Sequence, residues 1–522
     1  MMSRLLLMLA TCSIPIVLAH DPGVDAQEES DTGNVGEDDG ESLDGGGPSV
    51  GAAQLLLSSV LDPLQEDRLF READIGIQVV NATTGEEVYA HRADEAFVPA
   101  SVMKAVTAAV ALRTLGPAYR YTTALLTHED NELDAEGTLL GDLYVWGGGD
   151  PSLVVEDLWA MARDLRLAGI NTVEGDLIFD AEYFDQDYLI AGWRKREDLA
   201  NGPAYFSPIG ALTVNYNTTS LVVAPGPEAG EPARVQLATP TELVMITSEV
   251  VTGRPGSRPW MTIEREVDWQ RGSMHFTMEG SIPEDETEPW RYYRSLPDPS
   301  LHFADVFRSM LTAQGIQIKG RNRLGKAPSR DLRVVISHKS EPLQVLLSTM
   351  NKRSSNIIAE SVLKTIGAEV KGAPGTTAKG IEVVGEYLIS LGIPAEEFTL
   401  INGSGLSREI QLRPSHVTAV LLDMLADEQH SPEYLSSLAI GGVDGTLSRR
   451  FTDKEHAGRV RGKTGSVNGV YCLAGIIDAG DGQRYVFSFF VNGYKRSSRP
   501  VRRLQDRFGV AILDLPAQNQ GQ

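Results

Sequence analysis

The chain has few cysteines: only Cys12 and Cys472 occur in 522 residues. Cys12 falls in an N-terminal apolar run that we expect to be removed, so a single thiol remains and an internal disulfide is excluded. Cys472 is then predicted to be a small buried residue on a strand. Stability must come from a hydrophobic core, which a chain of this length with 42% hydrophobic residues can supply. The length indicates about three domain-sized units.

Metal ligands and long basic stretches are also missing. The nine histidines are scattered, and no helix carries the His-Glu-x-x-His pattern of zinc peptidases, so we expect no metal and no cofactor. The net charge of −24 argues against nucleic acid as a partner. After residue 19 no segment approaches the roughly 18 to 20 apolar residues that a membrane span needs, so no transmembrane span is expected.

The N-terminal residues 1–19 have the pattern of a secretory signal peptide. Arg4 precedes an apolar stretch, and Val17-Leu18-Ala19 reads as a small-residue cleavage site. We therefore expect an exported, periplasmic protein. Leu9-Ala10-Thr11-Cys12 also hints at a lipoprotein signal, although threonine is unusual before the cysteine, so lipidation at Cys12 stays open.

Residues 20–50 are predicted to be an acidic, disordered linker. The stretch 20–48 holds no Lys or Arg but ten acidic residues: Asp21, Asp25, Glu28, Glu29, Asp31, Glu37, Asp38, Asp39, Glu41 and Asp44. It has too little apolar surface to offset the entropy that ordering would cost. Its role is left open.

The chain does contain three short motifs in a fixed order: Ser101-Val102-Met103-Lys104, Ser354-Ser355-Asn356 and Lys463-Thr464-Gly465. Each alone is weak, since helix caps and strand ends produce the same letters. Together they match an active-site serine that a lysine activates.

The first motif is predicted to begin a buried helix that ends at Gly116-Pro117. Lys104 is one turn after Ser101, so its amine should lie on the same face and reach the hydroxyl. Apolar surroundings would lower the lysine pKa towards neutrality, which suits a general base. The helix start also offers the backbone N–H of Ser101 to a developing oxyanion.

The other two motifs are predicted to flank the same cleft. A turn between the helices predicted at 343–350 and 357–366 presents Ser354 and Asn356, while Ser355 points away. Alternatively, one of these serines only caps the second helix. Lys463 to Ser466 should lie on a strand that is followed by strands at 470–477 and 485–491. There Gly465 would allow a substrate backbone to approach, and Lys463 would supply a fixed positive charge for a carboxylate.

With their surroundings, these residues resemble the low-molecular-mass penicillin-binding proteins of serine peptidase family S13, the penicillin-binding protein 4 type of D-alanyl-D-alanine carboxypeptidase and endopeptidase. The resemblance runs from about residue 55 to 515. It includes Gly148–Leu153, Asn402–Arg408, Asp444–Leu447 and Gly469–Tyr471. Its most specific feature is the spacing of 253 positions between Ser101 and Ser354, which leaves room for a large insertion.

The resemblance implies an α/β (α+β) transpeptidase-like domain with an antiparallel sheet flanked by helices and two inserted β-rich domains. We expect the catalytic domain at 51–115 and 325–522 and the inserted domains at 116–324. Within the insertion, 142–146 and 172–179 fit strands.

The resemblance also implies a serine hydrolase of the bacterial cell wall. Lys104 would take the proton of Ser101, which attacks the D-Ala-D-Ala carbonyl while the N–H groups of Ser101 and Ser466 hold the oxyanion. Ser354 would relay a proton to the leaving D-alanine. Asn356 would hold the substrate backbone and Lys104, and Lys463 with Thr464 would bind the carboxylate. The partners implied are peptidoglycan stem peptides and, as inhibitors, β-lactam antibiotics.

By the same similarity, four residues are candidates for binding the diaminopimelate side chain of the stem peptide: Arg408, Asn468, Tyr205 and Asp198. Asn468 stands where a longer glutamine is expected, and a surface ion pair is the alternative for Arg408. Two other functions stay open, a β-lactamase and a non-catalytic cell-wall scaffold. The balance of carboxypeptidase and endopeptidase activity and the oligomeric state are not predicted.

Overall fold

The computed structural model describes residues 50–65, 72–189, 192, 202–480 and 482–515. The predicted signal peptide and the predicted linker, apart from Val50, lie outside these ranges. Within the ranges, no helix combines the length and the apolar character needed to cross a bilayer.

A six-stranded antiparallel sheet lies at the centre of the part that carries the motifs, and we number its strands in chain order. In spatial order they are β17 (Ala439–Ile440), β18 (Val460–Val467), β19 (Val470–Asp478), β20 (Arg484–Asn492), β1 (Asp74–Asn81) and β2 (Glu87–His91). Strands β19 and β20 are apolar almost throughout because both of their faces are covered. These two strands confirm the predictions at 470–477 and 485–491.

Helices cover both faces of this sheet, as predicted. On one face lie α1 (Val50–Gln65) and α10 (Ser498–Leu513), whose apolar side chains share a core with Phe487 and Phe489. The other face holds a larger core, to which Phe490 contributes. The helices on that side are α2 (Met103–Leu115), α5 (Leu343–Lys352), α6 (Asn356–Lys371), α7 (Thr377–Ser390), α8 (Pro414–Ala426) and α9 (Ser431–Ser437). Successive phenylalanines on β20 thus enter opposite cores.

The chain between α2 and α5 forms further sheets. A five-stranded mixed sheet has the order β15 (Asn322–Leu324), β7 (Leu177–Asp180), β5 (Leu143–Gly147), β3 (Thr122–His128) and β16 (Leu332–Lys339). Two helices, α3 (Val155–Leu167) and α4 (Pro299–Ala313), share its core. A small parallel sheet beside it consists of β14 (Gln317–Ile318), β6 (Thr172–Val173) and β4 (Thr138–Leu139). The inserted segment is therefore not made of strands alone.

Residues 218–295 form two three-stranded sheets with a core of their own. One sheet has the order β10 (Val244–Gly253), β12 (Ser273–Pro283) and β11 (Trp260–Asp268), and the other β13 (Trp290–Ser295), β8 (Thr218–Ala224) and β9 (Arg234–Leu237). Their shared core includes Phe276, Met278 and Leu221.

The pairing of β16 corrects one predicted boundary. We expected the catalytic part to resume at residue 325, but β16 pairs antiparallel with β3 from Leu332 opposite His128 to Lys339 opposite Thr122. The segment that leaves the catalytic part after α2 thus returns only after Lys339. A strand's sequence does not name its partner, because pairing is decided by tertiary contacts.

Candidate active site

The serine of the first motif lies at the start of a helix, as predicted. Ala100–Val102 form one turn of 3-10 helix that continues directly into α2. Ala100 is fully buried and has a left-handed φ of 45°. The turn brings the partly exposed Ser101 to a cleft of about 830 Å³. Since the first N–H groups of a helix have no acceptor within it, the N–H of Ser101 is available to a substrate oxygen.

Lys104 is the central contact of the site. Its Nζ lies 2.9 Å from Ser101 Oγ, 2.7 Å from Asn356 Oδ1 and 2.7 Å from the carbonyl oxygen of Ser404. Asn356 Nδ2 donates to the carbonyl oxygen of Tyr205 at 3.0 Å, which fixes the orientation of the amide. The reach from Lys104 to Ser101 that the helical spacing predicts is therefore observed.

The partners of Lys104 determine where its protons point. Asn356 Oδ1 and the Ser404 carbonyl can only accept, so a neutral amine gives them its two N–H groups. Its lone pair then faces Ser101 Oγ. If the amine takes the Ser101 proton, all three N–H groups of the ammonium still have acceptors. The site therefore accommodates the lysine before and after proton transfer without rearrangement.

The electrostatic surroundings favour the neutral amine. Lys104 is completely buried, and burial is the main cause that lowers its pKa well below the usual value. The positive charge of Lys463 lowers the pKa of Lys104 further, while the carboxylate of Glu360 opposes this.

The second motif occupies the turn between α5 and α6. Ser355 caps α6, because its Oγ accepts from the N–H of Ile358. Ser354 instead takes a left-handed φ of 57° and lines the cleft with Asn356. A non-glycine residue in this region costs about 1–3 kcal/mol, a strain that is typical of functional sites. The capping role and the site role thus belong to different serines.

The structure changes our expectation for Lys463. It was predicted to supply a fixed positive charge, but its side chain is completely buried, and burial lowers its pKa to about 7. Its Nζ donates to Ser354 Oγ at 2.9 Å and to the carbonyl oxygen of Thr464 at 2.8 Å. Its charge therefore varies with pH near neutrality. The sequence alone could not show this, because the depth of a strand residue depends on what covers it.

Gly465 has a structural role that the sequence did not indicate. A side chain there would lie 2.7 Å from the carbonyl oxygen of Pro99 and 3.1 Å from the Ser101 nitrogen. The glycine thus lets β18 approach the turn that carries Ser101, which is a reason for glycine beside the predicted approach of a substrate backbone. Beyond Gly462, no strand among the described residues pairs with the outer edge of β18. On that strand Ser466 is exposed at the cleft, and Thr464 Oγ1 lies 2.9 Å from Thr446 Oγ1.

Two residues of the site were missed by the sequence reasoning, Ser404 and Glu360. Ser404 belongs to the conspicuous segment Asn402–Arg408, in which only Arg408 had been given a function. Glu360 follows the second motif and is completely buried, and its carboxylate accepts from the N–H groups of Gly403 and Ser404. An acidic residue within an otherwise apolar helix stretch was the available signal.

Three of the four proposed side-chain recognition residues lie around the same cleft. Tyr205, Arg408 and Asn468 line it, whereas Asp198 lies outside the described residues. Arg408 forms no ion pair with any residue that the structure describes, which argues against the surface-pair alternative within those ranges. Arg408 and Asn468 also border an adjoining cavity of about 650 Å³. That cavity is lined by two more basic residues, Lys495 and Arg496, and by no acidic residue.

One further prediction can be checked. Cys472 is a free, buried cysteine on β19, as expected, with Sγ 3.5 Å from the carbonyl oxygen of Val98. In the described parts of the chain, no group of three or more His, Cys, Asp or Glu residues is arranged to hold a metal ion.

Comparison with known sequences adds a family match. The model of the D-Ala-D-Ala carboxypeptidase 3 (S13) family matches residues 57–509. The chain is 34% identical to a D-alanyl-D-alanine carboxypeptidase of an Actinomadura species over 481 residues, which cover 89% of this chain and 86% of that protein. It is 26% identical to the D-alanyl-D-alanine carboxypeptidase DacB of Haemophilus influenzae over 425 residues, covering 81% of this chain and 86% of that one.

Comparison with solved structures supports the fold. Penicillin-binding protein 4 (dacB) from Haemophilus influenzae matches with a TM-score of 0.74 and 24% identity, over 88% of this chain and 99% of that one. The same protein in complex with a β-lactam matches with a TM-score of 0.69. The transpeptidase-like architecture with additional domains is therefore shared.

Proposed function

The chain belongs to the D-Ala-D-Ala carboxypeptidase 3 (S13) family, and on that basis we propose that Ser101 is the nucleophile of its reaction. Membership makes the protein a serine-type DD-peptidase of peptidoglycan metabolism, a hydrolase that cleaves the bond after a D-alanine. The observation that carries the assignment is the contact set of Lys104. Two acceptors bind its N–H groups, so the lone pair faces Ser101 Oγ at 2.9 Å.

The acylation step follows from this arrangement. Lys104 takes the proton of Ser101 as Oγ bonds to the carbonyl carbon of the penultimate D-alanine. The carbonyl oxygen becomes an oxyanion, for which the N–H groups of Ser101 and Ser466 are the donors. When the oxyanion collapses, the C–N bond breaks and the amine of the leaving D-alanine takes up a proton. Water later attacks the acyl-serine ester, and this releases the shortened peptide and restores Ser101.

Ser354, Asn356 and Lys463 complete the mechanism. Ser354 is the group from which the leaving amine receives its proton, and its contact with Lys463 Nζ at 2.9 Å provides a route for replacing that proton. Asn356 holds Lys104 and, with the edge of β18 that no described strand covers beyond Gly462, the substrate backbone. Lys463 and Thr464 bind the terminal carboxylate, whose negative charge would favour the protonated form of Lys463.

The substrate would be the peptidoglycan stem peptide, with Arg408, Asn468, Tyr205 and Asp198 around its diaminopimelate side chain. The guanidinium of Arg408, which forms no ion pair within the described ranges, suits a carboxylate of that side chain. The wide cleft is compatible with cleavage of cross-links between D-Ala and diaminopimelate as well as with release of a terminal D-alanine. β-Lactams would acylate Ser101 in the same way and deacylate slowly.

The N-terminal residues support export. The signal peptide proposed at 1–19 would direct the protein out of the cytoplasm to the periplasm, where peptidoglycan is found.

Intact mass spectrometry after incubation with benzylpenicillin tests the proposed nucleophile. We expect one covalent adduct per chain on the wild type and none on Ser101→Ala. Ser354→Ala is a matched control that removes another hydroxyl in the same cleft but leaves Ser101, and it should still acquire the adduct, more slowly.

The same experiment separates the rival functions. Absence of an adduct while the drug stays intact would favour a non-catalytic scaffold. Rapid drug hydrolysis without an accumulating adduct would favour a β-lactamase. An adduct on Ser101→Ala would place the nucleophile elsewhere.

A further inference from the structure

Glu360 is a buried acidic residue that the mechanism above does not use. It lies on α6, four residues after Asn356 and therefore on the same helix face, and its side chain has no solvent exposure. Its Oε1 accepts from the Ser404 N–H at 2.8 Å, and its Oε2 accepts from the Gly403 N–H at 3.1 Å. Both oxygens thus face donors, an environment that suits the ionised carboxylate.

The backbone that Glu360 holds is the one that contacts Lys104. The carbonyl oxygen of Ser404 is 2.7 Å from Lys104 Nζ, so this residue lies between a carboxylate and an amine. Two further hydrogen bonds fix the loop formed by residues 402–405. Thr107 Oγ1 donates to the Gly403 carbonyl at 2.8 Å, and the Gly405 N–H donates to Asn402 Oδ1 at 3.0 Å. The Ser404 carbonyl is thus a rigid acceptor rather than part of a free loop.

We propose that Glu360 is a positioning residue for the base: it fixes the Ser404 carbonyl against Lys104, and its negative charge stabilises the ammonium that Lys104 becomes during acylation. The inference rests on the proposed roles of Ser101 and Lys104. It assigns Glu360 a part comparable to that of the carboxylate in a serine-histidine-aspartate triad, acting through a backbone amide and through space.

The charges around Lys104 explain why such a group is needed. The charged residues that influence it are Lys463, from β18, and Glu360, from α6. Asn356 and the Ser404 carbonyl are neutral. When Lys104 gains a proton in this buried space, Glu360 is the negative charge that offsets both the burial and the repulsion by Lys463. Burial is the largest influence on Glu360 and raises its pKa above the usual value, while the hydrogen bonds from Ser404 and Gly403 and the charge of Lys104 act in the opposite direction.

The test is the pH dependence of acylation in Glu360→Gln. The second-order rate constant for acylation by benzylpenicillin should rise with pH as Lys104 becomes neutral. We call this rise the acid limb of the pH–rate profile. Loss of the negative charge at residue 360 destabilises the Lys104 ammonium, so the pKa of Lys104 falls and the acid limb should move to lower pH by roughly one unit. The rate above the limb should fall about tenfold, because a less basic amine takes up the proton less readily. A role in folding alone would not move the limb.

Two further variants keep the test decisive. Glu360→Asp retains the charge at a greater distance, so its limb should move in the same direction by a smaller amount. If Glu360→Gln does not fold, Glu360→Asp carries the test. Asp185→Asn is the matched control, since Asp185 pairs with the buried Lys364, one turn further along α6, at 2.6 Å and has no contact with Lys104. It should lower the thermal midpoint but leave the limb unchanged.

The outcomes distinguish this proposal from the one it rests on. If the wild type is not acylated at Ser101, the proposed function fails. If the wild type is acylated and the limbs of the folded Glu360 variants coincide with its limb, only the role of Glu360 is overturned. A limb that moves to higher pH would overturn the charge argument as well.

Discussion

At the scale of single residues, the proposed chemistry depends on two buried lysines with different partners. Lys104 contacts Ser101, Asn356 and the Ser404 carbonyl, whereas Lys463 contacts Ser354 and the Thr464 carbonyl. Burial lowers the pKa of both, and the proton count at each amine follows from its acceptors. Substitutions that change the charge near these lysines should therefore alter the pH dependence of acylation or of stability even where the fold is unchanged.

Asn356→Asp tests the neutrality of Lys104. The new carboxylate would lie at the present contact distance of 2.7 Å from Nζ and would favour the ammonium. The pKa of Lys104 should rise by roughly 1–3 units, so acylation near neutral pH should fall by tenfold or more and recover in alkaline solution. Stopped-flow acylation across pH measures this. A uniform loss at every pH would show instead that only the amide hydrogen bonds matter.

Lys463→Met tests the cost of burying the second lysine. The folded-state pKa of about 7 lies below the unfolded value of 10.5, so the unfolded chain binds the proton more readily. The destabilisation of the folded wild type by the buried Lys463 ammonium is fully present below about pH 7 and is relieved as the pH rises towards 10.5. The variant should gain stability relative to wild type at neutral pH, and this gain should shrink by about 1.4 kcal/mol per pH unit across that window. Thermal melts of the variant and the wild type at several pH values measure this stability difference. A difference that stays constant with pH would contradict the lowered pKa of Lys463.

At the scale of elements, four parts of the chain meet at the site: the 3-10 turn that carries Ser101, the start of α6, strand β18 and the loop that contains Ser404. The 3-10 turn at Ala100–Val102 lies against β18 at Gly465, and the loop that contains Ser404 lies between α2 and α6. The distance between the serine turn and β18 sets the relation between the Ser101 and Ser466 N–H groups. Small backbone shifts at this contact should therefore affect activity more than stability.

Gly465→Ala tests this junction. The added methyl group would lie 2.7 Å from the Pro99 carbonyl oxygen, so β18 or the serine turn must move by several tenths of an ångström. We expect a loss of about 1–3 kcal/mol in stability and at least a tenfold loss in acylation rate.

Gly385→Ala on α7 is a suitable control for that substitution. Its added carbon would meet only Phe398, at ordinary contact distance, and alanine favours helix by about 1 kcal/mol. It should leave acylation unchanged and leave stability equal or higher. Equal activity in both variants would mean that the close approach at Gly465 does not set the site geometry.

At the scale of the whole molecule, the inserted segment is attached to the catalytic part by more than its two chain connections. The buried Lys364 on α6 reaches into the segment 181–189, where it donates to Asp185 at 2.6 Å and to the Asp187 carbonyl at 2.9 Å. The backbone N–H of Asp185 also donates a hydrogen bond to the carbonyl oxygen of Gly375. The insertion therefore borders the cleft in a defined position. It includes Tyr205, whose carbonyl oxygen accepts the hydrogen bond from Asn356 Nδ2.

Asp185→Asn measures the strength of this attachment. Removing one charge leaves Lys364 buried without its counter-ion, which typically costs about 3 kcal/mol. The thermal midpoint should fall while penicillin acylation of the folded protein keeps its wild-type rate at low temperature. A reduced rate at unchanged stability would show that the insertion controls the site directly.

Much of the site was predictable because it depends on local spacing. Helical periodicity places Lys104 one turn after Ser101, and the strands around Lys463 follow from continuous apolar runs that only a doubly covered sheet accommodates. The role of Ser404 was not predictable, because a backbone carbonyl has no signature in the sequence. Nor was the reason for Gly465, which depends on a turn more than 350 residues away.

The sequence by itself determined the chemistry, the order of the elements and the presence of a long insertion, since these follow from residue types and spacings along the chain. Only the tertiary structure decided which groups meet. It paired β16 with β3, buried Lys463 and brought Glu360 to the loop that holds Lys104. The physical reason is that burial and electrostatic coupling depend on which segments cover one another, and segments distant in the chain supply that cover.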